Sequence, residues 1–258
     1  MTLERWRRAS PAIAVFVGGI ALWEAVVRLF GIKGFILPAP SAIVAALPAE
    51  WSELRPAAIA TFSSALAGLA LGTALGVAAA IGAARWPMAR EGAMPLAITA
   101  NSTPIIVLAP VANAWFGLLS PWSTIVVIAV LVFFPVMINL VRGLLSAEAS
   151  ELELMTSYAA SARTTMWKLQ LPGALPYLFS ALKVAAALSL IGAIVKEYFG
   201  GSQTRLGQYI TLKAGNFQFE EVWTAIMVAS AFGVGLYVLI TLIEKRFMSW
   251  HVSVRAQA

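Results

Sequence analysis

The chain has 258 residues, of which 60% are hydrophobic and only 12% are charged, and its formal net charge is +6. This composition excludes an ordinary soluble domain and is typical of a polytopic membrane protein. The charge does not indicate nucleic-acid binding, because the sequence has no long basic run and Lys and Arg in membrane proteins usually mark loop orientation. With no Cys and a single His, we expect neither a disulfide framework nor a metal site.

Apolar segments recur along the chain at lengths that suit a bilayer, which requires roughly 20 apolar residues per helix. Arg5, Arg7 and Arg8 before the first segment resemble the start of a signal peptide, but the apolar run continues to Phe30 without a small-residue cleavage site. We therefore predict an all-α transmembrane bundle in a single domain, 1–258. Its helices, about six, lie near 11–30, 57–84, 95–116, 122–145, 174–195 and 222–243.

The second apolar segment carries Gly68, Gly72 and Gly76 at four-residue spacing. Ser64 and Ala80 extend the same pattern, so one helical face has almost no side-chain bulk. Another helix can approach such a face closely. The neighbour is either a helix of the same bundle or a second subunit, and the sequence leaves both alternatives open.

Polar residues and prolines inside the later segments indicate a possible pathway through the membrane. Pro104, Pro110 and Pro135 remove backbone hydrogen bonds that neighbouring groups or water must replace. The polar side chains face protein or water, because an unpaired amide in lipid would cost a few kcal/mol. The candidate pathway residues are Asn101, Thr103, Asn113, Asn139 and Glu197.

Each candidate also has a purely structural interpretation. The Asn side chains could form hydrogen bonds between helices, and Glu197 with Lys196 could form an interfacial ion pair or a solvated helix end rather than a gate. Lys183 is close enough to the end of its segment to extend to the interface. Glu24 is one helical turn from Arg28, and we expect these two to pair.

The segment 148–172 is charged and amphipathic within an otherwise apolar sequence. Glu151, Glu153, Arg163 and Lys168 cannot enter hydrocarbon cheaply, while Leu154 and Tyr158 recur at helical spacing. We predict a short helix on the membrane surface where a soluble partner docks. The chain has no Gly-x-Ser-x-Gly elbow, phosphate loop, His-Glu-x-x-His motif or acidic metal cluster. We therefore predict that it has no catalytic residues, is not an enzyme, and depends on another chain for any ATP hydrolysis.

Lys and Arg are unequally distributed between the loops, which predicts orientation by the positive-inside rule. A cytoplasmic N-terminus places the larger group inside: Arg5, Arg7, Arg8, Arg85, Arg90, Arg142, Arg163, Lys168, Lys245, Arg246 and Arg255. The smaller group is then outside: Arg28, Lys33, Arg55, Lys196, Arg205 and Lys213. We predict that both termini and the 148–172 segment are cytoplasmic.

The same segment resembles the cytoplasmic EAA loop of importer permeases in ATP-binding-cassette (ABC) systems. That loop has Glu-Ala-Ala, a glycine four residues later, and Ile-x-Leu-Pro ten residues beyond the glycine. Here the matching residues are Glu153-Leu154-Met155, Ala159 and Leu169-Gln170-Leu171-Pro172. Ala159 replaces the glycine. Because alanine allows fewer backbone conformations than glycine, this substitution restricts the geometry of the bend at this position.

The resemblance extends along nearly the whole chain, which is similar to the nitrate, sulfonate and taurine branch of these permeases. It includes the motifs at 37–41, 104–117, 134–135, 171–177 and 191–197, and residues 101–116 resemble the relatives that import heterocycles such as pyrimidines and flavins. The resemblance implies a type I importer permease fold in the bacterial inner membrane, with a cytoplasmic coupling helix in the 148–172 segment. It also implies a homodimer of this subunit in membrane lipid, a cytoplasmic ABC ATPase dimer that binds ATP and Mg²⁺, and a periplasmic binding protein. The chain itself would bind no cofactor.

On this hypothesis, Leu154, Tyr158 and Trp167 are apolar anchors on the ATPase, and Glu153 and Arg163 are charges that fix the register. Ala159 and Pro172 shape the bend and the connection to the next helix. The solute would be a small anion such as nitrate, sulfonate or taurine, or a pyrimidine or flavin precursor. An alternative is an ATP-independent channel or a membrane scaffold that uses 148–172 to bind another cytoplasmic protein.

Overall fold

The computed structural model describes residues 3–101, 104 and 107–248, and in these residues the regular structure is entirely helical. The continuous helix from Ala162 to Tyr198 contains a π-helical turn, Met166–Gln170. The α-helices are α1 (Leu3–Leu29), α2 (Pro40–Arg85), α3 (Pro87–Asn101), α4 (Leu108–Phe116), α5 (Pro121–Leu144), α6 (Ala149–Ser157), α7 (Ala162–Thr165), α8 (Leu171–Tyr198), α9 (Leu206–Gly215) and α10 (Phe219–Phe247).

Four helical rods in the described part of the chain are long and apolar enough to cross a membrane. They are α2, α5, the continuous rod from Ala162 to Tyr198, and α10. The first predicted segment, 11–30, lies in α1, except for Phe30, which directly follows that helix. The all-helical bundle predicted from the sequence is therefore confirmed.

The third predicted segment, 95–116, is not one continuous helix, so this part of the prediction is wrong. The structure divides it between α3 and α4, and Pro104 lies outside both helices. Proline lacks the N–H that would continue a helical ladder, and its ring clashes with the preceding turn. Thr103 lies outside the described residues, as do Arg255 and His251.

Helix α2 is much longer than the predicted segment 57–84, because it begins at Pro40 and has 46 residues. At 1.5 Å per residue it is about 70 Å long, roughly twice the hydrocarbon thickness of a bilayer. Pro48 and Pro56 lie inside it, and each removes a backbone hydrogen bond. Packing compensates, since Leu54 is fully buried in a cluster with residues of α9 and α10.

Helix α5 is at the centre of the bundle and packs mainly against α2 and α8. Ile128, Val132 and Val136 on α5 are fully buried in the main core cluster, to which α2, α8 and α10 also contribute. A second cluster is formed by the ends of α2 and α5 and the start of α8, beside the 148–172 segment. The cluster around Leu54 is at the opposite end.

Candidate functional site

The 148–172 segment connects α5 to α8 and begins with a well-formed helix, α6. Glu148 precedes α6 and forms a capping box with Glu151, in which the Glu148 backbone N–H donates to Glu151 Oε2 at 2.9 Å. A capping box satisfies N–H groups that have no partner at a helix start. Because α6 has no buried residue, this local hydrogen bonding, and not core packing, holds it in shape.

Helix α6 ends in a reversal at Ala159, whose φ is +51°. The Ala159 N–H donates to the Thr156 carbonyl at 2.9 Å, and the Ala160 N–H donates to the Met155 carbonyl at 3.0 Å. This pair of bonds is a Schellman motif, which ordinarily has glycine in the left-handed position. The position at which the EAA pattern has glycine is therefore the position at which this chain has a left-handed φ.

The chain re-enters the bundle through α7, the π-helical turn and α8. Ser161 caps α7, since its Oγ accepts the Thr164 N–H at 3.2 Å. In the π-helical turn the Leu171 N–H donates to the Met166 carbonyl, five residues earlier. Pro172 follows Leu171 after the π-helical turn, and because it has no N–H it removes one backbone hydrogen bond from the rod. The segment is thus joined to α8 by continuous helix.

The three predicted anchors all project from the chain. Leu154 is 55% exposed, Tyr158 75% and Trp167 64%, which is unusual for large apolar side chains unless a partner or membrane covers them. Glu153 and Arg163 are exposed as well. Within the described residues, neither of these two charges has an ion-pair partner. The segment therefore presents apolar and charged groups together on a pre-formed helix.

Among the predicted pathway residues whose side chains the structure describes, Asn113, Asn139 and Glu197 form no hydrogen bond with one another. Asn101 ends α3, and Asn139 Nδ2 donates to the Pro135 carbonyl of its own helix at 2.8 Å. Asn113 Nδ2 is 3.4 Å from the Phe199 carbonyl. Its Oδ1 is buried without a hydrogen-bond partner, so the Asn113 amide is only partly satisfied.

Glu197 is fully buried and holds the start of α9. Its carboxylate accepts hydrogen bonds from Thr61 Oγ1 at 2.8 Å and from the Gly207 N–H at 3.2 Å, and pairs with Arg205 Nη1 at 3.3 Å. Thr61 Oγ1 in turn accepts the Leu206 N–H at 2.9 Å. The first N–H groups of α9 are therefore capped by side chains of α8 and α2. The alternative of a solvated helix end or an ion pair with Lys196 is therefore wrong, because Glu197 and Lys196 are both buried and Glu197 pairs with Arg205 instead.

Sequence reasoning missed Thr61, Arg205 and Gly207 as members of this network. Gly207 permits the close approach of α9 to α8, because a Cβ there would be 2.5 Å from Glu197 Cβ and 2.7 Å from the Ile194 carbonyl oxygen. Thr61 is 136 residues from Glu197 in sequence. No local pattern could have related the two.

A second polar network attaches α9 to the projecting start of α2. Lys213 Nζ and the Tyr209 hydroxyl both contact Glu50 Oε2 at 2.7 Å. Burial alone would lower the pKa of Lys213, but the hydrogen bond and charge of Glu50 outweigh burial and raise it. Burial, together with the Glu50 hydrogen bond, raises the pKa of Tyr209. Lys213 therefore stays charged at neutral pH, and its contribution to stability is lost only as the pH rises through its raised pKa.

The glycine stripe of α2 faces α5. A Cβ at Gly68 would be 2.5 Å from Ile128 Cβ, one at Gly72 2.5 Å from the Ala129 carbonyl oxygen, and one at Gly76 2.9 Å from the Phe133 carbonyl oxygen. Of the two alternatives that the sequence left open, the contacts of the stripe are those of packing inside the bundle.

Lys183, expected to extend to the interface, instead pairs with Glu244 at 2.5 Å, and Glu24 pairs with Arg28 as predicted.

Comparison with known proteins adds family relationships to this geometry. The family described as "Binding-protein-dependent transport system inner membrane component" matches residues 72–249. The formylaminopyrimidine transport permease protein ThiX of Halalkalibacterium halodurans is 30% identical over 96% of this chain and 98% of its own. The riboflavin transport system permease protein RibX of Chloroflexus aurantiacus is 29% identical over 91% and 87%. The taurine transport system permease protein TauC of Escherichia coli is 23% identical over 97% and 94%.

Proposed function

The chain belongs to the family of binding-protein-dependent transport system inner membrane components, and from this premise we propose how its 148–172 segment and its pathway are used. It is a multi-pass membrane permease of an ABC importer and not an enzyme. Such permeases bind no cofactor themselves, since nucleotide is bound by the partner ATPase. ATP-driven, binding-protein-dependent transport is the activity that membership implies.

The proposal for coupling is that α6 inserts into a groove of the cytoplasmic ATPase. Its chief support is that Leu154 in α6 and Tyr158, which directly follows α6, are exposed one helical turn apart, and that a capping box stabilises this helix. Buried aromatic and aliphatic anchors carry most of the energy of such interfaces, and a rigid helix loses little entropy on docking. Glu153 and Arg163 would fix the register through charge pairs.

Movement of the ATPase would then be transmitted to the membrane helices by a continuous helix. The Ala162–Tyr198 rod runs without interruption from the 148–172 segment into the core, and Ala174 near its start is fully buried. Closure of the ATPase dimer would therefore tilt α8 as a rigid body against α5. We propose that two copies of the chain act together, each on one ATPase subunit.

For the substrate, we propose a neutral nitrogen heterocycle rather than a small anion. The relatives named for formylaminopyrimidine and riboflavin support this choice by their identity to this chain, 30% and 29%, which exceeds the 23% of the taurine permease. Three cations near the ends of the membrane rods are also engaged: Lys183 pairs with Glu244, Arg205 with Glu197, and Lys196 donates to the Gly200 carbonyl. An anion crossing the bilayer would require a cation or dipole to replace its hydration.

The test is affinity purification of the tagged full-length chain from its native membrane in mild detergent, with mass spectrometry of the proteins and small molecules recovered. We expect an ABC ATPase, which Glu153→Arg and Tyr158→Asp remove and which Glu220→Arg, an exposed charge reversal at the opposite end, does not. We also expect a binding protein that carries a heterocycle.

Two outcomes would contradict these proposals separately. Recovery of the ATPase with all three variants would mean that α6 is not the docking element. Recovery of a binding protein loaded with taurine or nitrate would leave the coupling proposal intact and overturn the substrate proposal. A chain that repeatedly purifies without any ATPase would favour the channel or scaffold alternative.

A further inference from the structure

Trp86 separates two clefts at the end of α2 beside the 148–172 segment. One cleft, of about 520 Å³, is apolar and lies between α2, α3 and α5; Gly82, Leu96, Phe133 and Met137 are among the residues that line it. The other, of about 600 Å³, is polar and lies between the end of α2 and the 148–172 segment; Arg85, Thr156, Thr165 and Gln170 line it. Trp86 lines both. The two clefts are therefore adjacent, one apolar and one polar, with Trp86 between them.

The charge of this site is positive. Arg85 is exposed, and among the described residues no carboxylate pairs with it. None of the described residues that line the two clefts carries a carboxylate. Arg85 and Trp86 directly follow the predicted span 57–84, and Arg and Trp are the residue types found where membrane helices meet lipid head groups.

We propose that this site binds an anionic glycerophospholipid. The phosphate would lie in the polar cleft against Arg85, with Thr156, Thr165 and Gln170 as additional hydrogen-bonding groups, and an acyl chain would fill the apolar cleft along Phe133 and Met137. Trp86 would lie at the boundary, where its amphipathic ring is favoured. Both clefts fall in the range of about 300–1,000 Å³ that is typical of small-ligand sites.

A lipid accounts for both clefts, whereas the alternatives account for one. Free phosphate would use Arg85 and leave the apolar cleft empty, and a helix of a second copy would cover the apolar cleft and leave Arg85 without an anion. A lipid bound here contacts α2 and the 148–172 segment at once. It would therefore stabilise one arrangement of that segment relative to the membrane helices, which makes transport sensitive to membrane composition.

The test is native mass spectrometry of the full-length chain titrated with phosphatidylglycerol, phosphatidylcholine or glycerol 1-phosphate. Arg85→Gln removes the cation from an exposed position, with Arg142→Gln, also exposed and in the last turn of α5, as its control. Gly82→Leu fills the apolar cleft, because a Cβ at Gly82 meets only Trp86 at 3.8 Å. Gly235→Leu is its control, since a Cβ there meets nothing within 4 Å.

We expect the wild type to bind phosphatidylglycerol more tightly than phosphatidylcholine. Arg85→Gln should weaken phosphatidylglycerol binding about fivefold without changing phosphatidylcholine binding, whereas Gly82→Leu should weaken both and the controls neither. Equal binding of phosphatidylglycerol by the wild type and both variants would overturn the proposal. So would displacement by glycerol 1-phosphate at the lipid's own concentration, or a loss of dimer in Gly82→Leu with unchanged lipid binding.

Discussion

Ala159 has a backbone conformation that is usually left to glycine. Its φ of +51° closes the Schellman motif that ends α6 and directs the chain back toward α7. A left-handed conformation costs an L-residue with a Cβ roughly 1–2 kcal/mol. Ala is nevertheless the least bulky substitute for the glycine of the EAA pattern, so the bend is retained at some cost in stability.

Substitution of Ala159 tests that cost. We expect Ala159→Gly to relieve the strain and stabilise the end of α6 by about 1 kcal/mol, offset in part by the greater freedom of glycine in the unfolded chain. Ala159→Val should destabilise it, because β-branched residues tolerate positive φ poorly. Hydrogen exchange of the Ala160 amide, which donates to Met155, should slow several-fold in the first variant and accelerate in the second. The opposite order would show that the bend does not limit the stability of α6.

Glu197 and the 148–172 segment differ in how far their sequence could predict them. The segment is a local pattern of charges, helical spacing and a Pro that predicted one short helix, and the structure has α6 there; α7 and the π-helical turn were not predicted. Glu197 was identified only as a polar residue near a helix end, because its partners Thr61 and Gly207 come from other helices. Which helices meet is set by tertiary packing, and a hydropathy pattern does not contain that information.

Among the elements, α2 and α5 pack closely against each other. The three glycines of α2 remove side chains where the α5 backbone passes, so carbonyl oxygens of α5 lie within 3.0 Å of each position where a Cβ would be. Membrane helices gain stability mainly from such close van der Waals packing, since lipid offers no hydrophobic gain on association. The spacing predicted a close contact, while the choice of α5 as its partner required the structure.

Gly72→Leu should separate this pair. Leu at that position would collide with the Ala129 carbonyl and with Val132, and overpacking of a tight interface costs typically 1–3 kcal/mol, or more where backbone must move. We expect a lower unfolding temperature in detergent and an unchanged monomer–dimer equilibrium. Gly235→Leu, on the open face of α10, should leave the unfolding temperature unchanged. A loss of dimer without a loss of stability would indicate instead that the glycines of α2 face a second subunit.

Across the whole molecule, the charged residues separate toward two ends. Arg85, the 148–172 segment and the last turn of α10, which contains Lys245 and Arg246, are at one end; the contact of Lys183 with Glu244 links this turn to α8. Helix α9 with Arg205 and Lys213 is at the other end, held by Glu197 and Glu50. Arg205 and Lys213 at the second end pair with carboxylates, whereas Arg85, Arg163 and Lys168 have no described acidic partner. The excess of Lys and Arg that the sequence assigns to the cytoplasmic side therefore includes cations that no described carboxylate neutralises.

The unequal distribution of Lys and Arg predicts which end of the molecule a membrane-impermeant reagent can reach. Because the chain has no Cys, single introduced cysteines can be labelled without background. Single cysteines at Ser157, exposed at the end of α6, and at Gln203, exposed between α8 and α9, mark the two ends, and Ala258→Cys reports the C-terminus. In intact cells whose outer membrane has been made permeable, a charged maleimide should label Gln203→Cys alone. Labelling of Ser157→Cys and Ala258→Cys should require opening of the inner membrane. Because excess Lys and Arg stay on the cytoplasmic side of the bilayer, the reverse pattern would place the 148–172 segment outside, where no ATPase could reach it.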